Sequence, residues 1–429
     1  MLKKKSLFKV LGTVGLSALL AACGPGESDA TESPNDGQDA NNEGGQTLVV
    51  WEDIDKSMGI EEAIAEFEEM HDVTIEIVEK PITEQIEDLR LDGPGGTGPD
   101  VFTMAGDQIG TAVTEGLVAP IEADDSVTGM YSESAMNSQI IDGTIYGLPK
   151  AVETTVLFYN KDLVSEDELP TTLDEWYDFS AEVTDGENFG LLALFDQIYY
   201  ANSVLSGYGG YLFGQDSNGN YDITDVGLST PGAIEGLESI QRFYQDGIFP
   251  QGIIGEQGIN VLDSLFTEGK AAAVISGPWN QEPYSSAGID YGVTTLPTLS
   301  NGEAMSPFVG VKSYNVSSYS KNKELAQELA LFLANEANTL KRYEKTQEVP
   351  AIPTLAEDPV VAENPVAQAV AEQSQDAELT PNIPAMAEVW TPADSALQTV
   401  ATGQAEPEQA LKEAVETIKG QIEANHGGQ

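Results

Sequence analysis

Cysteine is almost absent from this chain: its 429 residues contain one, Cys23. A single thiol cannot form an intramolecular disulfide, so the fold has to be held together by its core. Histidine is nearly as scarce, with only His71 and His426. These residues supply too few ligands for a zinc site and poor material for a Ser/His/Asp triad. The sequence therefore predicts no metal site, no cofactor and no catalytic residues.

Basic residues are also few. The chain carries 19 Lys and Arg against 71 Asp and Glu, a formal net charge of −52. Nucleic-acid binding requires a cationic surface, so this balance excludes nucleic acid as a partner. The charge is typical of a strongly hydrated acidic surface, as in proteins adapted to saline or alkaline media. With so many acids, pairs of carboxylates arise by chance and give a glycosidase no specific support.

The chain has one long apolar run, and it lies near the N-terminus. This run, Leu7 to Leu20, follows a lysine-rich start and is too short to span a bilayer comfortably. It ends at Leu-Ala-Ala-Cys23, which resembles the lipobox of bacterial lipoproteins, cleaved before the cysteine and lipidated on it. Residues 1–22 are therefore predicted to be a signal peptide and Cys23 a lipid anchor on the extracellular face of the cell membrane. The alternative is a plain secretory signal with an incidental cysteine.

Polar residues dominate the segment that follows. Residues 23–46 are rich in Gly, Ser, Asp, Glu, Asn and Gln and contain almost nothing apolar. Such a segment cannot bury enough surface to offset its ordering entropy. It is predicted to be a disordered acidic linker between the lipid and the folded part.

Short apolar runs then alternate with segments in which apolar residues recur at helical spacing. Strands are predicted at 48–51, 73–78, 101–104, 151–159, 191–195 and 272–275. Helices are predicted over 60–70, with Ser57 as N-cap, over 82–89, around Trp176, and over 232–245, 323–335, 366–373, 385–401 and 407–424. Alternating strands and helices predict an α/β fold with a largely parallel sheet.

Two motifs that suggest ligand loops have simpler explanations. Gly93–Gly98 satisfies G-x-G-x-x-G, but it follows a helix and leads into a strand, the reverse of a dinucleotide-binding loop. It is predicted to be a turn. Residues 216–222 alternate like calcium ligands, yet Tyr221 replaces the required glycine and Gly227 the terminal glutamate. A hairpin turn at Asn218-Gly219 is the favoured interpretation.

Several aromatic residues stand at element ends instead of on clear apolar faces, namely Trp51, Tyr199, Trp279 and Trp390. An aromatic residue at a strand end is often plain core. Together with polar side chains at neighbouring ends, however, such rings could form a platform for a sugar. A pyranose stacks its C–H face on a ring and offers hydroxyls to carboxylates and amides.

Many segments, in order and with conserved spacing, resemble the maltose/maltodextrin-binding proteins of bacterial ABC importers, within the large class of extracellular solute-binding proteins. The resemblance covers about residues 46–424. It rests on Leu-Val-Val-Trp at 48–51 followed by Asp55 and Lys56, Gly-Pro-Asp at 98–100, Ala-Val-Glu at 151–153, Tyr-Asn-Lys-Asp-Leu at 159–163, Ile-Ser-Gly-Pro-Trp at 275–279, Pro-Phe-Val-Gly-Val at 307–311 and Pro-Asn-Ile-Pro-Ala-Met at 381–386.

The resemblance implies a two-lobed, periplasmic-binding-protein-like α/β fold with a hinge and an inter-lobe ligand cleft. Lobe one would comprise 47–152 and 312–358, and lobe two 156–308 and 365–425. It also implies a monomeric binding protein, not an enzyme, that delivers its ligand to ABC permease subunits.

The same resemblance implies the ligand-binding residues. Asp55, Lys56, Asp107 and Glu153 would hydrogen-bond sugar hydroxyls, with Gln197 and Glu84 as further polar candidates. Tyr199, Trp279 and Trp390 would stack on sugar rings. Met104 stands where the best-known member of the family has a tryptophan, and is a candidate contact.

The implied ligand is a maltose or maltodextrin-type oligosaccharide. Replacements such as Met104 leave its length and linkage open, so trehalose, a cyclodextrin or another disaccharide are alternatives. A further alternative is a surface carbohydrate-active enzyme on a related scaffold.

Overall fold

The structure is a computed structural model that describes residues 46–216 and 220–427. The signal peptide, Cys23, the linker up to residue 45 and the turn residues Asn218 and Gly219 lie outside the described residues. Within the described ranges, none of the helices combines the length and the apolar character needed to cross a membrane.

The strands of the described chain lie between Gln46 and Leu379. In chain order they are β1 Gln46–Glu52, β2 Val73–Glu79, β3 Val101–Ala105, β4 Val118–Ala119, β5 Ile140–Ile141, β6 Thr144–Ile145, β7 Leu148–Thr154, β8 Val156–Asn160, β9 Phe189–Leu192, β10 Gly214–Gln215, β11 Tyr221–Asp222, β12 Ala271–Ser276, β13 Tyr291–Thr294, β14 Phe308–Ser317 and β15 Glu378–Leu379.

Helices fill the segments between the strands and dominate the C-terminal third. In chain order they are α1 Glu61–His71, α2 Gln85–Asp92, α3 Ile109–Thr114, α4 Asp125–Thr128, α5 Glu133–Asn137, α6 Leu173–Val183, α7 Ile198–Gly207, α8 Pro231–Gln245, α9 Gly258–Thr267, α10 Gln281–Ser286, α11 Lys323–Ala334, α12 Glu336–Thr346, α13 Pro359–Ala362, α14 Pro365–Gln373, α15 Trp390–Ala401 and α16 Pro407–His426.

The first sheet has the strand order β15-β14-β3-β1-β2, with β4 and β7 also paired to β14. Its parallel pairs are β1 with β2 and β1 with β3, as the strand–helix alternation predicts, and β14 with β15. The expectation of a largely parallel sheet is nevertheless wrong, because β14 runs antiparallel to β3, β4 and β7.

Both faces of the first sheet are covered. Val50 and Val101 point into one core with α1 and α11, whereas Trp51 and Phe102 point into another with α2 and α3. Adjacent residues of a strand face opposite sides, so each strand serves both cores.

The second sheet has the order β13-β8-β12-β9. It lies in the largest core, which we call the second core and which also contains α6 to α9 and α14 to α16. Local signals start its helices: Thr172 and Glu175 form a capping box at α6, and Thr230 caps α8 ahead of Pro231.

The predicted long strand from Ala151 to Tyr159 is two strands. β7 belongs to the first sheet and β8 to the second, and only Thr155 separates them. A run rich in β-branched and aromatic residues predicts extended backbone on both sides of Thr155 but does not reveal a change of sheet. The chain thus passes directly from one sheet to the other, and it returns between β13 and β14.

Smaller differences concern element ends. Ser57 starts a separate 3-10 turn instead of capping α1, whose first residue is Glu61 and which has no side-chain cap. Gln46, assigned to the linker, is already part of β1. Residues 194 and 195 lie beyond the end of β9 at Leu192. The predicted lobe boundaries stay a prediction, although β15 joins the first sheet through β14.

Candidate functional site

A cavity of about 140 Å³ lies where β3, β7 and β14 of the first sheet meet α7 and α15 of the second core. It is lined by Ala105, Gly106, Asp107, Ser138, Glu153, Tyr199, Val309, Gly310, Val311, Lys312, Leu379, Thr380 and Trp390. Four predicted ligand-binding residues, Asp107, Glu153, Tyr199 and Trp390, are therefore brought together from positions up to 283 residues apart.

Two carboxylates face this cavity. Asp107 lies in the 3-10 turn that follows β3, and Glu153 lies near the end of β7. Gly310 is the strand partner of Glu153, and a Cβ at Gly310 would stand 3.3 Å from the Glu153 Cγ. Burial raises the pKa of Asp107 to about 6, and the charge of Glu153 also acts to raise it. The site thus holds two carboxylates from different elements within one cavity lining.

Lys312 is the cation beside these carboxylates. Its Nζ lies 3.0 Å from Glu153 Oε2, 3.7 Å from Glu348 Oε1 and 3.9 Å from Asp53 Oδ2. Burial by itself lowers the pKa of Lys312, but the three carboxylates outweigh that effect and the net pKa is raised. Lys312 is therefore an ammonium ion, and its side chain is only 12% exposed.

The ion pairs continue from the cavity into the protein. Lys150 Nζ lies 2.9 Å from Glu348 Oε2 and 2.7 Å from Glu52 Oε1, and neither Lys150 nor Glu52 has any exposed side-chain surface. Burial raises the pKa of Glu52. Burial also favours the neutral form of Glu348, but Lys150 and Lys312 hold its pKa below the usual range. We call the chain of ion pairs Glu52, Lys150, Glu348, Lys312 and Glu153 the charged floor.

A group of four aromatic rings contributes two of its members, Tyr199 and Trp390, to the cavity lining. The Tyr199 ring centroid lies 6.3 Å from that of Trp279 and 6.2 Å from that of Phe308, and Phe308 lies 6.2 Å from Trp390. We call these four residues the aromatic wall. Phe308 is almost fully buried and joins the two halves of the wall. Trp279, on a 3-10 turn after β12, touches Tyr199 but is not part of the cavity lining.

The other predicted polar residues lie outside the cavity lining. Asp55 is exposed in a left-handed turn (φ 58°), and Lys56 Nζ donates to the Thr346 carbonyl oxygen at 3.4 Å. Glu84 is exposed just before α2, and Gln197 precedes α7 and is half-buried. Their roles in binding stay predictions.

Met104 requires a correction. It has no exposed surface and packs with Trp51 and Phe102 in the core beneath β3. The next residue, Ala105, lines the cavity instead. Because side chains alternate along a strand, the resemblance at Met104 identifies the right strand but the wrong face for a contact.

Sequence reasoning missed Lys312 and Phe308. One signal was available for Lys312: a lysine in the middle of β14, between Val311 and Ser313, interrupts a strand that otherwise reads as buried. A buried lysine is rare unless it is paired. Its partners, however, lie 36 to 259 residues away, so the sequence did not indicate them.

This arrangement suits a neutral, hydroxyl-rich molecule. The aromatic wall offers flat apolar surface to C–H groups, and the carboxylates and the ammonium offer strong acceptors and a donor. The ammonium is already paired with carboxylates, so the site has no unbalanced cation to attract an anionic ligand.

Comparisons with known proteins show the family to which this chain belongs. Residues 62–369 match the family described as bacterial extracellular solute-binding protein. A galactooligosaccharide-binding protein of Bacillus subtilis (strain 168) is 61% identical over 428 residues, covering 100% of this chain and 99% of the relative. The maltodextrin-binding protein MdxE of the same strain is 35% identical, covering 98% of this chain and 99% of the relative.

A solved structure gives the same result for the fold. The crystal structure of a cyclo/maltodextrin-binding protein complexed with maltotetraose matches with a TM-score of 0.79 and 35% identity, covering 90% of this chain and 99% of that chain. The predicted two-lobed α/β fold is confirmed. The matched family and relatives are solute-binding proteins, not enzymes, which removes the alternative of a carbohydrate-active enzyme.

Proposed function

This chain belongs to the family of bacterial extracellular solute-binding proteins, and from that premise we propose that it captures a galacto-oligosaccharide in the cavity between the charged floor and the aromatic wall. The observation that carries the proposal is the 61% identity, along the whole chain, with a galactooligosaccharide-binding protein.

The chemistry of the cavity supports a saccharide as the ligand. A sugar ring would lie against Tyr199 and Trp390, with its hydroxyls directed to Asp107 and Glu153. Maltodextrin, the ligand that the sequence resemblance implies, is a second candidate. It is supported by the 35% identity with MdxE and by the fold match to a protein solved with maltotetraose.

The small size of the cavity supports a cleft that opens to admit the ligand and closes around it. At about 140 Å³ it is smaller than the roughly 300–1,000 Å³ of typical ligand pockets. An oligosaccharide would therefore enter with the walls further apart, and contact with both sides would favour the closed form. We propose that the closed form is the one that ABC permease subunits receive.

Anchoring at Cys23 completes the proposal. A lipid on this residue would keep the binding protein near its transporter at the extracellular face of the membrane. The mass of the mature N-terminal peptide from membrane-extracted protein tests this directly, since a cleaved, acylated cysteine differs from an unmodified one.

The ligand proposal is tested by isothermal titration calorimetry of the purified protein with galactotriose, maltotriose, trehalose and a cyclodextrin. We expect galactotriose to bind most tightly. Tightest binding of maltotriose would favour the second candidate, and no heat with any saccharide would contradict both.

A further inference from the structure

Lys312 differs from Lys150, the other lysine of the charged floor, in the position of its side chain relative to the cavity. Lys150, at the interior end of the charged floor, is fully buried and lies outside the cavity lining. Lys312 shares the anion Glu348 with it, yet it lines the cavity and keeps 12% of its side chain exposed. An ion pair that only stabilises the fold does not need to line the ligand cavity, so the position of Lys312 suggests a role in binding.

The ammonium of Lys312 has donors to offer. It carries three N–H groups. Of the three carboxylates around it, only that of Glu153 comes within hydrogen-bond distance, at 3.0 Å, while those of Glu348 and Asp53 stand at 3.7 and 3.9 Å. The longer two balance the charge without saturating the donors.

Lys312 and Glu153 therefore form a donor and an acceptor side by side at one cavity. Neighbouring hydroxyl oxygens of a pyranose are separated by a similar distance. An ammonium beside a carboxylate can donate to one such oxygen and accept from the next hydroxyl.

We propose that Lys312 is a ligand-contacting and positioning residue: it donates to one hydroxyl of a bound saccharide and holds the Glu153 carboxylate where it accepts from the adjacent hydroxyl. This inference rests on the proposed function, because it assumes a saccharide in the cavity. It adds the requirement that the saccharide present two hydroxyls on neighbouring carbons. The positive charge of Lys312 is balanced by carboxylates of the protein.

Three substitutions test the proposal by calorimetry with galactotriose or maltotriose, whichever the wild type binds more tightly. Lys312→Gln keeps a polar group of similar length without the charge, and Lys312→Met removes both. A charge-assisted hydrogen bond lost from the complex lowers affinity by about 10- to 100-fold. We expect a loss of that size for both variants. Lys341→Met, the control, removes a lysine that pairs with Glu62 and Glu66 at the surface outside the cavity lining, and should keep the wild-type affinity wherever circular dichroism shows a folded protein.

A double-mutant cycle separates positioning from mere support of the fold. If Lys312 and Glu153 act as one unit, the variant that combines Lys312→Gln with Glu153→Gln should lose much less affinity than the product of the two single losses. A structural role would lower the melting temperature of Lys312→Gln but leave its dissociation constant and the cycle unaffected.

The wild-type protein provides a measurement that does not depend on a variant folding. In protein labelled with 15N at the lysine side chains, the NMR resonance of the Lys312 ammonium should shift when the saccharide binds, and that of the exposed Lys412 should remain constant. An unshifted Lys312 resonance, or unchanged affinity in Lys312→Gln, overturns the inference while leaving the proposed function intact. Failure of the wild type to bind any saccharide contradicts the proposed function itself.

Discussion

The charged floor and the aromatic wall each contribute two residues to the lining of one cavity, but the two regions are stabilised in opposite ways. The floor consists of ionisable groups whose charges would be costly to bury singly, and each of them lies beside a partner of opposite charge. The wall consists of rings whose burial is favourable in itself and whose contacts tolerate small shifts. The positions of polar groups in this cavity are therefore specified mainly by the floor, and its apolar surface is supplied mainly by the wall.

Strand order explains how the two regions meet. Glu153 and Lys312 lie on the paired strands β7 and β14, next to the points where the chain passes between the sheets. The wall residues Tyr199, Trp279 and Trp390 follow or start elements of the second core. Movement of one sheet relative to the other would therefore change the distance between floor and wall.

The largest expected effect concerns the stability of the floor. Lys150→Met leaves the carboxylates of Glu52 and Glu348 buried without their nearest cation. Breaking a buried pair by removing one partner costs about 3–5 kcal/mol. We expect a loss of that size in the free energy of unfolding, measured by urea denaturation.

An exposed ion pair provides the control for this effect. Lys341 pairs with Glu62 and Glu66 on the surface of the first sheet's helices. Such pairs contribute little, so Lys341→Met should leave the urea midpoint nearly unchanged. Equal losses in the two variants would show that burial does not distinguish the floor from the surface.

The next effect concerns the wall. Trp390→Ala removes a ring that lines the cavity. If it stacks on a sugar, affinity should fall by about 1–3 kcal/mol, as for other aromatic stacking platforms. Trp390→Phe keeps a ring and should lose less. Calorimetry with the tightest-binding saccharide measures both, and full affinity in Trp390→Ala would remove this residue from the site.

The smallest effect is the pH dependence of stability that Asp107, next to the charged floor, contributes. The pKa of Asp107 is about 6 in the folded protein, against 3.8 for an ordinary aspartate. Between these values the folded state binds the extra proton, so the contribution of Asp107 to stability falls as pH rises through this window. Asp107→Asn removes that penalty.

We expect Asp107→Asn to be more stable than the wild type by about 1–2 kcal/mol at pH 7.5, with the difference shrinking towards pH 4. Urea unfolding across this pH range measures it. A constant difference at every pH would mean that Asp107 does not titrate in this window.

Much of the fold was accessible from local patterns. The strand Leu48–Trp51 and the helix spacing from Ile60 were correctly assigned because burial and periodicity are properties of neighbouring residues. The break at Thr155 was missed because the residues on both sides are buried, and burial does not reveal which sheet a strand joins.

The residues of the candidate site were also predicted only in part. Asp107, Glu153, Tyr199 and Trp390 were identified by resemblance and do share one cavity. Met104 was misplaced because the pattern does not report which face of β3 borders the cavity. Lys312 was missed because its role depends on partners from three separate segments.

The order of residues along the chain is enough to specify an acidic, disulfide-free α/β protein with a lipobox-like leader and aromatic residues at element ends. Each of these features is composition, spacing or local periodicity. The folded arrangement alone settles which carboxylates become acceptors at the cavity, which lysine reaches them and which rings face them. Ion pairing and stacking act over a few ångströms in space, and those distances arise only when β7, β14 and α15 have packed together.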